Sequence, residues 1–135
     1  MYAVKELIKS VNMNIEENCV HAVLDLHGHS KKKYTFIYGP YYQIHHENYF
    51  KMRILPKLLS EQTVMFRYFS CRFRLEQNKL KTARIVLFKE FGIMNSFTIE
   101  SSFHGFLTEE RVHQDFTPSN FSSIGRHIGI SLIYE

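Results

Sequence analysis

Residues 21–40 read "HAVLDLHGHSKKKYTFIYGP". The first part alternates as a strand does. With the preceding residues, "CVHAVLDLH" (19–27) places Val20, Ala22, Leu24 and Leu26 on one face and His21, Val23, Asp25 and His27 on the other. The strand ends in an acid and two imidazoles, and three lysines follow at once. A second short strand, "YTFIY" (34–38), is closed by Gly39-Pro40. Two strands so close together, one polar at its tip, set the frame for the rest of the chain.

An imidazole beside a carboxylate at a strand end is what one wall of a metal site needs, and the neighbouring cations suit an acidic substrate. Bulk composition allows this. The 135 residues make one domain. A hydrophobic fraction of 44% with 22% charged residues is ordinary for a folded protein, so disorder is excluded as the main state. Net charge is +4, which favours anionic partners. The cations are scattered and no DNA- or RNA-binding signature occurs, so a nucleic-acid module is set aside. Two cysteines, Cys19 and Cys71, make no disulfide framework and fit a reducing compartment. The first residues lack a long apolar stretch, and no apolar run approaches a membrane span, so neither a targeting peptide nor membrane insertion is expected.

Working outward, Ala3, Val4, Leu7, Ile8 and Val11 recur at helical spacing over residues 2–11. Residues 46–60 carry a helical stripe of Phe50, Ile54, Leu55, Leu58 and Leu59, with a break or kink expected at Pro56, before "KLLS". Strands are expected at 64–75 ("VMFRYFSCRFRL"), at 83–88 ("ARIVLF", buried on both faces) and at 93–100 ("IMNSFTIE"). Thr117-Pro118 opens a last helix, Thr as N-cap and Pro in its first position. Phe121, Ile124, Ile128 and Leu132 form its stripe, and Gly125 and Gly129 would let it approach a sheet closely. The alternation predicts an α/β fold, a mixed β-sheet flanked by helices. Sites in such sheets gather where strands end, and two tips stand out: Asp25-Leu26-His27 and Thr98-Ile99-Glu100.

"DLHGHSKKKYTFIYG", "ILPKLLS", "SCRF" and "TARIVLFKEFGIMNSFTIESSFHG", followed by a closing helix, resemble the cytosolic carboxypeptidases, zinc metallocarboxypeptidases of the M14 type that trim glutamates from polyglutamylated tubulin tails. The resemblance runs through the whole chain. "DLHGHS" followed about seventy residues later by "NSFTIES" is its specific part. It implies that residues 1–135 are the C-terminal portion of one catalytic domain, a partial M14 domain whose upstream half is absent. By position it implies that His27 is a zinc ligand and Glu100 the catalytic acid–base. Arg84 would read acidic side chains through a bidentate pair, and His29 would line the pocket. Asp25 either orients His27 or is a structural carboxylate. Lys31, Lys32 and Lys33 either steer an anionic tail or form a solvated loop, as do Arg72 and Arg74.

A catalytic zinc takes three protein ligands plus water. The family draws two from a His-x-x-Glu motif, and no histidine here has Glu three residues on. Nor does anything match the family's arginine and asparagine that hold a substrate's terminal carboxylate. The remaining Zn2+ ligands are therefore expected upstream, and the chain alone is expected to be inactive and either poorly soluble or partner-dependent. The resemblance further implies acidic C-terminal tails such as tubulin's as partners, and a cytoplasmic location associated with cytoskeleton or cilium. The alternative is a truncated or degenerate, non-catalytic binder of acidic tails.

Overall fold

The computed structural model describes residues 2–13 and 20–134. Cys19 and the start of the expected 19–27 strand, up to that residue, lie outside them. The elements run α1 (Tyr2–Met13), β1 (Ala22–His29), β2 (Thr35–Tyr38), α2 (Asn48–Lys51), α3 (Ile54–Gln62), α4 (Ala83–Phe91), β3 (Asn95–Ser102), β4 (Phe106–Leu107), β5 (His113–Gln114) and α5 (Pro118–Tyr134).

Strands β1, β3 and β2 form one sheet in that order, β1 parallel and β2 antiparallel to the central β3. This is the mixed sheet expected. Alternation gives each strand one residue set per face. On one face Leu24, Phe97, Ile99 and Ile37 meet Leu55 and Leu59 of α3 and Ile124 and Ile128 of α5 in the main core. On the other, Val23 joins Ile8 of α1, Leu87 of α4 and Ile93 in a smaller cluster. The second cluster covers only the beginning of the strands. Their carboxyl ends stay open on that side, and this opening becomes the site.

Several elements depart from expectation. Residues 83–88 are helical, as part of α4, and not a strand. A short apolar run cannot by itself tell a strand from a buried helix. Here the ends decide. Thr82 is extended and its carbonyl accepts the amides of Ile85 and Val86, while Gly92 takes φ 68 and its amide bonds to the Phe88 carbonyl. That left-handed turn stops the helix as glycine readily allows.

Residues 64–75 do not form a strand either. They follow the outer edge of β2 but touch it only at isolated bridges, Thr35 with Phe66 and Tyr38 with Arg72, around a 3-10 turn at Tyr68–Ser70. Between the bridges the Ile37 amide donates to Cys71 Sγ at 3.3 Å, so a thiolate-capable sulfur stands where a ladder carbonyl would.

In the 46–60 helix the break falls at Met52–Arg53, ahead of the expected place. Pro56 sits in the first turn of α3, where its missing N–H costs nothing, and a helix continuous through it would drive its ring into the Met52 carbonyl.

The N-cap of α5 is as expected: Thr117 Oγ1 accepts the Asn120 amide at 3.2 Å. Of its stripe, Ile124 and Ile128 are buried, Leu132 is partly buried, and Phe121 is exposed. Gly125 and Gly129 make no close approach, since a Cβ on either would meet nothing within 4 Å. The glycine held tightest against backbone is Gly105, at φ 68, where a Cβ would lie 2.0 Å from the Gln114 carbonyl oxygen. None of the described helices is long and apolar enough to cross a membrane.

Candidate active site

In the β1–β3 register, His27 stands opposite Glu100, and Asp25 opposite Thr98. Registered partners on neighbouring strands share a face, at a strand spacing of about 4.8 Å. On β2, Phe36 pairs with Glu100 and Tyr38 with Thr98. The two tips singled out in the sequence are therefore side by side on one face.

They open into a cavity of about 590 Å³. Asp25, His27 and His29 of β1, Thr98 and Glu100 of β3 and Tyr38 of β2 form its floor. Lys32, Arg72, Arg74, Glu76, Lys79, Thr82 and Arg84 complete the wall. Of the residues singled out in the sequence, His27, His29, Glu100 and Arg84 are thus brought together. Lys31 is exposed and outside the lining; Lys32 is the cation its run contributes. The sequence reading assigned no role to Tyr38, Lys79 or Thr98. Thr98 is legible as the residue two before Glu100 on the same face, and Tyr38 as the last strand residue before Gly39-Pro40.

Hydrogen bonds fix the floor. His27 Nε2 lies 2.8 Å from Asp25 Oδ1, two residues back on the same face. His29 Nδ1 accepts the amides of Lys31 and Lys32, both at 3.1 Å, which leaves Nε2 as the hydrogen-bearing nitrogen. The helical form of 83–91 places Arg84 in the first turn of α4. Its Nη1 donates to Thr98 Oγ1 at 3.4 Å and its Cζ lies 5.5 Å from the Tyr38 ring centre. Its buried Nε has no hydrogen-bond partner.

Charge in the cavity is unbalanced. Five cations face three carboxylates. Arg74 Nε pairs with Glu76 at 2.6 Å and Asp25 is engaged by His27. Among the described residues, Lys32, Arg72, Lys79 and Arg84 have no carboxylate within ion-pair distance, and neither does Glu100 have a cation. Burial lowers the pKa of Arg84, and burial followed by repulsion from Arg72 lowers that of Lys32. Cations desolvated without a partner favour an anion arriving from outside.

Metal binding is a separate matter. No group of three His, Cys, Asp or Glu side chains among the described residues could hold a metal ion. His27 offers one imidazole, its Nε2 already bonded to Asp25. These residues alone do not fit a catalytic zinc.

No family model matches the chain. Individual proteins do. Mouse cytosolic carboxypeptidase 2 is 32% identical over 130 residues, covering 96% of this chain. Bovine cytosolic carboxypeptidase 3 is 36% identical over 121 residues, covering 88%. The chain spans only 14% and 12% of those relatives. A crystal structure of a metallo-carboxypeptidase from Burkholderia cenocepacia superposes on 94% of the chain with a TM-score of 0.67, at 15% identity, over 32% of its own length. That likeness concerns the fold; the sequence matches concern kinship. Together they place this chain, over the part-length segment it shares with them, in the cytosolic carboxypeptidase family.

Proposed function

We propose that this chain forms the acid-reading and proton-transferring part of a carboxypeptidase site that removes C-terminal glutamates from acidic protein tails, polyglutamylated tubulin among them. One observation carries the reading: Glu100 stands beside His27 at the open ends of parallel strands, in a cavity whose cations outnumber their partners. In it, Arg84 pairs with the side-chain carboxylate of the terminal residue. Its unpartnered Nε and half-buried guanidinium supply charge-assisted bonds, roughly twice as strong as neutral ones. Glu100 takes the proton of an attacking water and returns it to the leaving amine, a role that asks for a carboxylate free of ion pairs and open to the cavity. Asp25 orients the His27 ring. Zinc, in this reading, belongs to the complete site, with its other ligands supplied from outside residues 1–135, which would be the C-terminal portion of the catalytic domain.

The test is release of glutamate from a peptide ending in several glutamates, with zinc present. The chain alone should release none. A longer gene product containing it should bind one zinc per chain and release glutamate. Robust turnover by the isolated chain would overturn the incomplete ligand set. A longer product that binds acidic peptides without zinc and without turnover would support the second reading, a non-catalytic binder of acidic tails. That reading draws on the lack of a three-ligand group among the described residues.

A further inference from the structure

Residues 30–34 join β1 to β2, and those strands flank β3 on opposite sides, so this segment has to cross the end of β3. There it meets the turn that follows β3. Its two ends are held by backbone bonds. The Phe103 amide donates to the His29 carbonyl at 2.9 Å, the Tyr34 amide to the Gly105 carbonyl at 2.9 Å, and the Ser102 amide to the Tyr34 carbonyl at 3.2 Å. Tyr34 takes φ 72, a left-handed conformation that a bulky residue keeps only where its surroundings over-determine it. Between the ends, His104 Nε2 lies 2.7 Å from the Ser30 carbonyl oxygen. A carbonyl only accepts, so Nε2 carries the hydrogen. Among the described residues, His104 supplies the one side chain beyond His29 that bonds the backbone of residues 30–33. His104 is itself seated. Its amide donates to Ser102 Oγ at 2.8 Å, and its carbonyl accepts from His113 Nε2 of β5 at 2.8 Å.

We infer that His104 is a positioning residue: through the Ser30–Lys31 peptide unit it holds His29 in a single tautomer, with the hydrogen on Nε2. In a trans peptide the C=O and N–H point opposite ways from one rigid plane. Here the Ser30 C=O goes to His104, and the Lys31 N–H goes to His29 Nδ1 at 3.1 Å. One peptide plane is thus fixed between two imidazole rings. With its carbonyl held, the amide cannot turn away from Nδ1, and the Lys32 amide reaches the same nitrogen at 3.1 Å. A nitrogen that accepts carries no hydrogen, which leaves the hydrogen on Nε2. Without His104 the Ser30 carbonyl turns to water, the plane rotates, and His29 loses the bonds that select its tautomer. His29 lines the cavity, and His104, exposed and outside that lining, decides which of its nitrogens is the donor. The inference does not depend on which substrate the cavity takes.

The test is NMR of the His29 ring nitrogens in the purified chain at about pH 8.5, where an ordinary imidazole is neutral. Exchange of the Lys31 and Lys32 amides with solvent is read from the same samples. The unaltered chain should give the two well-separated nitrogen shifts of a pure Nε2–H ring. His104→Ala should draw those shifts towards each other as the second tautomer fills. It should also speed exchange of both amides about fivefold, the factor that one net hydrogen bond is worth. The Phe97 and Ile99 amides, in the core strand, should not change. His104→Gln places an N–H close to the position of Nε2 and should restore both readouts; His104→Asn, one bond shorter, should behave as His104→Ala. Unchanged ring shifts in His104→Ala would overturn the inference, whatever the amides do. So would equal loosening in His104→Gln, which would make the bulk of the ring and not its hydrogen the cause. Loosening that spreads to Phe97 and Ile99 would overturn it too, because His104 would then hold the fold and not the crossing.

Discussion

The two faces of the three-stranded sheet are built from the same strands and do opposite things. Towards α3 and α5, Phe97, Ile99 and Ile37 are buried in an apolar core. Towards α4, the same strands present Asp25, His27, Thr98 and Glu100 to an open, charged cavity. The period-two pleat keeps them apart: a one-residue register slip would exchange the faces. The lesson is that stability and function are separable here by residue parity. Odd–even neighbours along β3, such as Phe97 and Glu100, should answer to different measurements.

The comparison can be broken most forcefully at Phe97. Phe97→Ala empties a fully buried position between the sheet and its helices and should cost about 3–5 kcal/mol, read from urea unfolding. At Glu100 the expectation reverses. Glu100→Gln should leave the unfolding free energy within ~0.5 kcal/mol, yet lower hydrolysis by a zinc-loaded protein carrying this chain about 10²–10⁴-fold. A large stability loss at Glu100, or a small one at Phe97, would contradict the division of faces.

Cys71 tests the edge between the two. Burial pushes its thiol up from 9.0 to about 12. An acid whose folded-state value exceeds its unfolded value binds more protons when folded, so its share of stability is present below pH 9 and lost as pH rises towards 12. Unfolding free energy should therefore decline across that window by up to about 1.4 kcal/mol per pH unit from this group. Cys71→Ala should flatten the decline. The smallest effect belongs to the helix covering the apolar face. Thr117→Ala removes the α5 cap and should cost about 1 kcal/mol, with peptide binding unchanged.

Much of this was readable in the sequence, for physical reasons. β1 and β3 alternate and end in unlike polar groups, so their tips announced themselves. α5 opens with Thr117-Pro118, a start signal that depends only on local geometry. The mixed sheet followed from the order of elements. Residues 83–91 misled because an unbroken apolar run satisfies both periods; Gly92 after Lys89 is the stop signal that argues for a helix. Residues 64–75 misled because β-branched and aromatic side chains fit an extended edge whether or not a ladder forms. The pairing of His27 with Glu100 is long-range. No window of sequence holds both partners. Arg84 was singled out, but its place over Tyr38 depends on the helix that was not expected.

The central claim is that His27 and Glu100 are registered neighbours on one open face. Glu100→His would set two imidazoles side by side on adjacent strands, a bidentate clamp for a divalent ion. Titrating nickel into this variant should raise its melting temperature, equivalent to about 2.7 kcal/mol when free metal reaches a hundred times the dissociation constant, with His27→Ala abolishing the gain. No metal-dependent stabilisation in Glu100→His, or the same gain after His27→Ala, would contradict the account.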